Sequence, residues 1–247
     1  MNLITIDPSI NCTAMCINNT FFVYTNKNKC YTKTEKLTKW FDLLKLYVAY
    51  RIFDPLHPDT YSQHEIDKLQ YYNNIINTIL KDISFNIDHT KNTIIGIEGY
   101  SYSTATRAII DLVAFGTMLR MKLLEQEIYN IFIVSPSTLK MQACKLTYGC
   151  NINSKGKEIP CINKNNISGG RFTKHEMMKS LLENNNLQDD WYVKLLNDKF
   201  TELLSANIIP NPIEDLNDAK LLYEIILDIC KNTNYDMIQF EKILFKK

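Results

Sequence analysis

The chain has 247 residues, 45% hydrophobic and 22% charged, with 28 Lys+Arg against 27 Asp+Glu for a net charge of +1. That length suits one domain with a sizeable core, and the apolar fraction excludes intrinsic disorder. Only 7 glycines exclude a collagen-like chain, and a total charge near zero excludes attachment to nucleic acid through bulk charge, so such a partner needs a local patch.

Leu3 to Ile6 is a short apolar run ending in Asp7-Pro8. Thr13–Ile17 and Phe21–Tyr24 are two more strand-like runs, separated by the turn signal Asn18-Asn19. Together they predict an antiparallel three-stranded meander. Two helical segments follow, about 36–52 and 63–83, the first with Leu37, Trp40, Phe41, Leu44 and Tyr47 at helical spacing. Thr93 to Gly99 is a buried-strand pattern carrying Glu98 near its end. A long helix over about 104–128, the strand Ile131–Val134 and a short helix opening at Pro136 come next. Residues 147–172 lack periodicity and read as a loop insertion. Thr173 and Glu176 form a capping-box pattern for a further helix, and helices over about 189–205, 215–231 and 235–245 complete the chain. This order predicts a single α/β domain: a mixed sheet, in which a meander is extended by parallel strands, flanked by helices. The stretches about 36–90 and 147–172 read as a helical and a basic-loop insertion.

The first residues hold no basic region before an apolar one, and no run reaches the length of a membrane span. Seven cysteines are read as reduced thiols of a protein that is not secreted. Cys144, Cys150, Cys161 and His175 are a candidate zinc set of irregular spacing. Cys12 and Cys16 read as packed thiols.

Three acidic features stand out by position. Asp7 and Glu98 end strands, and Asp215 and Asp218 share one face at the start of a helix. Each has an ordinary explanation: Asp before Pro is a common turn, Asp215 suits an N-cap, and Asp218 complements the helix dipole. Together they suggest a different chemistry. Strand ends in α/β sheets are where sites are built, and converging carboxylates suit a pair of hard divalent cations that hydrolyse a phosphodiester.

The residues that carry these carboxylates also resemble a family. Ile6-Asp7-Pro8-Ser9-Ile10-Asn11-Cys12-Thr13, Ile97-Glu98-Gly99-Tyr100 and Asp215-Leu216-Asn217-Asp218-Ala219 are similar, in order and spacing, to three motifs of the RuvC-like Holliday junction resolvases. These belong to the RNase H-like superfamily, and the versions of phages and large DNA viruses look most similar. Ala14 stands where the first motif usually has Gly. Val134-Ser135-Pro136-Ser137-Thr138-Leu139-Lys140 resembles the family's V-x-P-x-x-x-K segment. Gly169-Gly170-Arg171-Phe172-Thr173-Lys174 resembles a later Gly- and Lys-containing stretch.

The resemblance implies an RNase H-like fold in which Asp7, Glu98, Asp215 and Asp218 bind two Mg²⁺ ions, with Mn²⁺ as a substitute. It implies that Lys140 stabilises charge or grips a phosphate. It also implies a homodimer acting on four-way DNA junctions, with the helix over 104–128 as the dimer face, in the cytoplasm, a nucleoid or a viral replication compartment. On that helix, Ile109, Ile110, Val113, Met118 and Leu119 are more simply core.

Charge is unevenly distributed. Residues 139–179 hold eight basic against two acidic side chains, a net +6, and residues 182–218 the reverse, a net −6. Lys140, Lys145, Lys155, Lys157, Lys164, Arg171 and Lys174 are the candidate DNA contacts, with Tyr148 and Phe172 as candidate stacking groups. Lys27, Lys29, Lys33, Lys36 and Lys39 form a second basic stretch.

Competing readings are an RNase H-like nuclease for flaps, other branched DNA or RNA–DNA hybrids, and a non-catalytic DNA-binding module on the same core. A sugar-kinase-like ATPase is less apt, because its phosphate motif needs a glycine-rich turn that Asp7-Pro8-Ser9 does not supply.

Overall fold

Asn18 and Asn19 carry the chain round a tight turn with positive φ of 46° and 69°. Two such residues in a row let one strand fold back on the next. They join β2 (Cys12–Ile17) to β3 (Thr20–Asn26), and β2 also pairs antiparallel with β1 (Asn2–Asp7). This is the expected meander. The computed structural model describes residues 1–30, 35–56, 60–100, 107–128, 130–163, 172–205 and 208–233.

The short helix α1 (Lys27–Cys30) and α2 (Glu35–Leu44) follow. The helix expected over 36–52 stops at Leu44, and Val48–Phe53 forms the strand β4, parallel to β3. Helical spacing ran past its true end because Tyr47 continues the apolar pattern, yet Tyr47 sits half exposed in a turn beside Leu46. Val48-Ala49-Tyr50-Arg51-Ile52-Phe53 is rich in β-branched and aromatic residues, and the open edge of β3 pairs its backbone. The 36–90 stretch therefore adds a strand to the sheet as well as helices.

The second helix, α3 (Tyr61–Asn86), is capped by the Thr60 side chain. Strands β5 (Thr93–Glu98) and β6 (Ile131–Val134) flank α4 (Arg107–Glu125), and both run parallel to β1. The resulting six-stranded mixed sheet has the order β4-β3-β2-β1-β5-β6. Next come α5 (Pro136–Tyr148) and a small hairpin of β7 (Cys150–Ile152) and β8 (Glu158–Pro160). That hairpin lies inside the segment read as a loop; strands of three residues are too short to show a period. Then come α6 (Lys174–Glu183), with the expected Thr173–Glu176 capping box, and a 3₁₀ turn at Asn185–Leu187. The helix expected over 189–205 divides into α7 (Trp191–Asp198) and α8 (Phe200–Ser205), and α9 (Ile213–Thr233) closes the described chain. The expected helix over 235–245 lies outside the described residues.

Alternation along each strand divides the core. Leu3, Ala14, Val23 and Ile94 face α5, α6, α7 and α9, while Ile4, Ile6, Met15, Tyr24, Ile95 and Ile97 face α3 and α4. α9 crosses very close to the sheet at Gly96. A Cβ there would stand 2.2 Å from Ile226 Cδ1, so any larger residue would force the Ile226 side chain to move. Thr5 Oγ1 donates 2.7 Å to the Ala219 carbonyl and fixes α9 along β1.

On the other face, β4 is tied down by charge. Arg51 donates to both oxygens of Asp82 on α3, at 3.0 and 2.7 Å, and the Tyr24 hydroxyl donates to the same carboxylate at 2.9 Å. Among the described residues no helix is long and apolar enough to cross a membrane.

Candidate metal centre and nucleic-acid surface

β1 and β5 are neighbours and parallel, with Ile6 opposite Ile97. One residue further, Asp7 and Glu98 therefore leave the sheet side by side at its carboxyl edge. Alternation sends both side chains to the face that α9 covers. α9 brings Asp218 to the same place, because the Thr5–Ala219 bond fixes its adjacent residue on β1. One carboxylate oxygen from each of Asp7, Glu98 and Asp218 lies within 4.8 Å of the others. Glu98 and Asp218 are buried, and Asp7 is partly buried.

This arrangement carries an electrostatic cost. Burial, then the Asp218 charge, pushes the Asp7 carboxyl up to about 7. Burial raises Glu98 well above the ordinary range, with Asp7 and Asp218 adding to it. Asp215 is also raised by burial and then by Asp7, against a hydrogen bond with Cys12. Asp218 is raised by burial and relieved by Lys174. Like charges held together in a dry site make this pattern.

Lys174 is the counter-charge. Its Nζ pairs with Asp218 and lies 3.5 Å from Glu214. Burial works against its ammonium, but Asp218, Glu98 and Asp7 outweigh that and hold it above the ordinary lysine value. One cation still leaves oxygens unused. Glu98 Oε2, Asp218 Oδ1 and Asp215 Oδ2 are buried with no hydrogen-bond partner. Hard anionic oxygens converging without donors suit Mg²⁺ or Mn²⁺ better than any soft metal.

The expected site residues among those described fall into several places. Asp7, Glu98 and Asp218 converge; Asp215 stands at the first turn of α9, outside that trio but within reach of the Asp7 charge. Lys140, on α5, is close enough for its charge to act on Asp218. Lys174 sits within the carboxylates rather than on a free surface. Lys145 pairs with Glu158 at 2.6 Å. Lys155 and Lys157 are exposed in the turn between β7 and β8. Lys164 and Arg171 lie outside the described residues. Tyr148 donates to Glu183 at 3.0 Å, so its ring is tethered at the far end. In the second basic stretch Lys27 pairs with Asp54, and Lys39 with Glu202. Lys33 lies outside the described residues, and so do the side chains of Lys29 and Lys36. The zinc set does not assemble: among the described residues, Asp7, Glu98 and Asp218 are the group at ligand distance.

The sequence reading missed Glu214 and Cys12 as parts of the centre. Glu214 precedes Asp215 and was visible only as one more acid. Cys12 lies in the first motif, but its bond to Asp215 depends on the packing of α9 against β2.

Helix α4 departs from the core reading given to its apolar residues. Leu119 is buried, whereas Ile110 is 69% exposed and Val113 37%. With Met121 at 58% and Leu124 at 48%, they line the outer side of the helix.

No family model and no curated protein matches the sequence. Solved structures similar to the chain include two of RuvC. One is T. thermophilus RuvC in complex with Holliday junction substrate, at 9% identity and a TM-score of 0.44, covering 94% of this chain and 96% of that one. The other is a Thermus thermophilus RuvC structure, at 11% identity and a TM-score of 0.42, covering 93% and 96%.

Proposed function

We propose that the chain is a metal-dependent, structure-selective endonuclease that cuts branched DNA, four-way junctions foremost. One observation carries this reading: Asp7, Glu98 and Asp218, from three separate elements, meet within 4.8 Å, and buried oxygens there have no donor. A fold keeps such a costly cluster where a cation is to be held. Asp7, Glu98, Asp218 and Asp215 would hold two Mg²⁺ ions, or Mn²⁺ in their place. Bound there, the metal supplies Lewis-acid stabilisation of charge on the phosphate and activation of water.

The protein's own groups do the rest. Lys140 and Lys174 grip the phosphate and offset its charge. Lys174 would yield its place beside Asp218 to a bound metal ion. The hairpin lysines Lys155 and Lys157 track the backbone, with Lys145, Lys164 and Arg171 in the same stretch. The choice of junction over other DNA comes from the motif resemblance, and a homodimer joined along the exposed side of α4 would set two sites on opposed strands. Cys12, Cys16, Cys144, Cys150, Cys161 and Cys230 form no disulfide, which suits a reducing compartment.

The deciding experiment incubates the protein with Mg²⁺ and a synthetic four-way junction, beside linear duplex, a flap and an RNA–DNA hybrid. Paired symmetric nicks in the junction support the reading. Faster cutting of flap or hybrid moves it to the related nucleases, and no cutting of any substrate ends it.

A further inference from the structure

The turn between β1 and β2 has two sides. Asp7 opens it and faces the α9 side. Ile10 and Asn11, a few residues on, line a cavity of about 320 Å³ on the α3 side. The cavity is within the ~300–1,000 Å³ range of small-molecule sites. Its other walls include Asn26 at the end of β3, Pro55 and Leu56 after β4, and His64, Tyr71 and Tyr72 on α3. The carboxyl edge of the sheet thus carries two adjacent features, a metal-type cluster and a pocket, sharing one short loop.

The chemistry of the pocket selects its occupant. Lys68 at its base is buried and already matched: Nζ lies 2.6 Å from Asp111 Oδ1 and 3.0 Å from Glu65 Oε1. Because that charge is satisfied, the pocket is not an anion site and does not suit a phosphate. The rest of the lining is apolar wall (Ile10, Pro55, Leu56), two tyrosines (the partly buried Tyr71 and the buried Tyr72), His64, whose Nδ1 lies 3.6 Å from Glu65 Oε1, and the exposed carboxamide of Asn11 beside Asn26. Apolar and aromatic walls with amide donors and acceptors fit a flat, neutral ligand with a polar edge. A base taken out of its stack is read in this way, by stacking and by hydrogen bonds to its edge.

We infer that this cavity receives one unpaired nucleobase of the DNA strand being cut, next to the scissile phosphate. The inference rests on the nuclease reading above and gives the α3 insertion a role: it builds the pocket that sets sequence preference at the cut. An opened branch point lowers the cost of such an extrusion, because each base pair there has lost one stacking neighbour.

The test uses four-way junctions carrying 2-aminopurine at each nucleotide flanking the cut, bound to the full-length protein with Ca²⁺ in place of Mg²⁺. Fluorescence should rise several-fold at one position, and the rise should be lost in both Tyr71→Ala and Asn11→Ala. Asn11 is exposed, so its variant keeps the fold if Tyr71→Ala does not. In Mg²⁺, the ratio of cutting rates between junctions differing at that nucleotide should fall by about tenfold in Tyr71→Ala, the size of one base–aromatic stack. If wild type cuts junctions but no flanking position brightens, or both variants brighten like wild type, the pocket inference is wrong and the nuclease reading stands. If wild type cuts no nucleic acid at all, the nuclease reading fails and takes this inference with it.

Discussion

Lys174, at the first turn of α6, pairs with the buried carboxylate of Asp218, in the second turn of α9. The pair spans 44 residues of sequence. It places a single positive charge where Asp7 and Glu98 also press on it. In metal-free protein this ammonium offsets part of the repulsion among the acids.

Lys174→Ala should therefore act in two directions. Without divalent ions it leaves buried acids unpaired and should cost about 1–3 kcal/mol of stability, read as a lower Tm in chelator. It should also tighten Mg²⁺ or Mn²⁺ binding, measured by titration calorimetry, because the competing cation is gone. Unchanged metal affinity would mean that Lys174 and metal do not share the site.

Asp7→Asn separates stability from activity. Removing one charge relieves Glu98, Asp215 and Asp218, so the metal-free variant should melt about 2–4 °C higher than wild type, on the order of 1 kcal/mol. Wild type should gain stability with added Mg²⁺ and the variant should gain much less. Cleavage should drop at least ~10²-fold, with junction binding largely kept. A variant that cuts at near wild-type rate would remove Asp7 from the site.

Position made the acids legible. Asp7 and Glu98 end apolar runs, and strand ends converge in any α/β sheet; Asp215 and Asp218 share a helix face by spacing alone. What the chain did not reveal depends on tertiary partners. Val48–Phe53 is a strand because β3 offers it an open edge, while its preceding residues, Trp40, Phe41 and Leu44, are a true helical stripe. Lys174 reads in the sequence as a candidate DNA contact at a helix start, and only the approach of α6 to α9 turns it toward the carboxylates. The pocket at Ile10, Asn11 and Tyr71 draws on separate segments that no local pattern connects.

The latch of β4 gives a stability prediction. Asp82→Ala removes the acceptor of Arg51 and of the buried Tyr24 hydroxyl together. The loss should be about 2–3 kcal/mol, or roughly 4–12 °C in Tm. Tyr24→Phe should cost less, because the Arg51 fork remains. Equal losses in the two variants would show that the fork contributes nothing.

The outer side of α4 gives a test of assembly. Ile110→Glu with Met121→Glu places charge on two exposed apolar residues whose loss should not disturb the core. If α4 is the dimer face, light scattering should show a monomer, and paired junction cuts should give way to single nicks. A dimer that survives both changes must use another surface.

Lys155 and Lys157 stand exposed in the turn of the β7–β8 hairpin, where Asn153 Oδ1 accepts from both backbone N–H groups at 2.9 Å. That bonding fixes the turn independently of either ammonium, so alanine at each position should keep the hairpin. Each phosphate that a variant no longer neutralises should flatten the slope of log K against log[salt] by about 0.9 on duplex arms. The double variant should therefore lose close to two units of slope, with weaker binding to all junction sequences alike. Lys145→Ala should change the slope less, because Glu158 already offsets its charge at 2.6 Å. Binding measured from low to moderate salt checks all three, and an unchanged slope in the double variant would move the DNA path away from the hairpin.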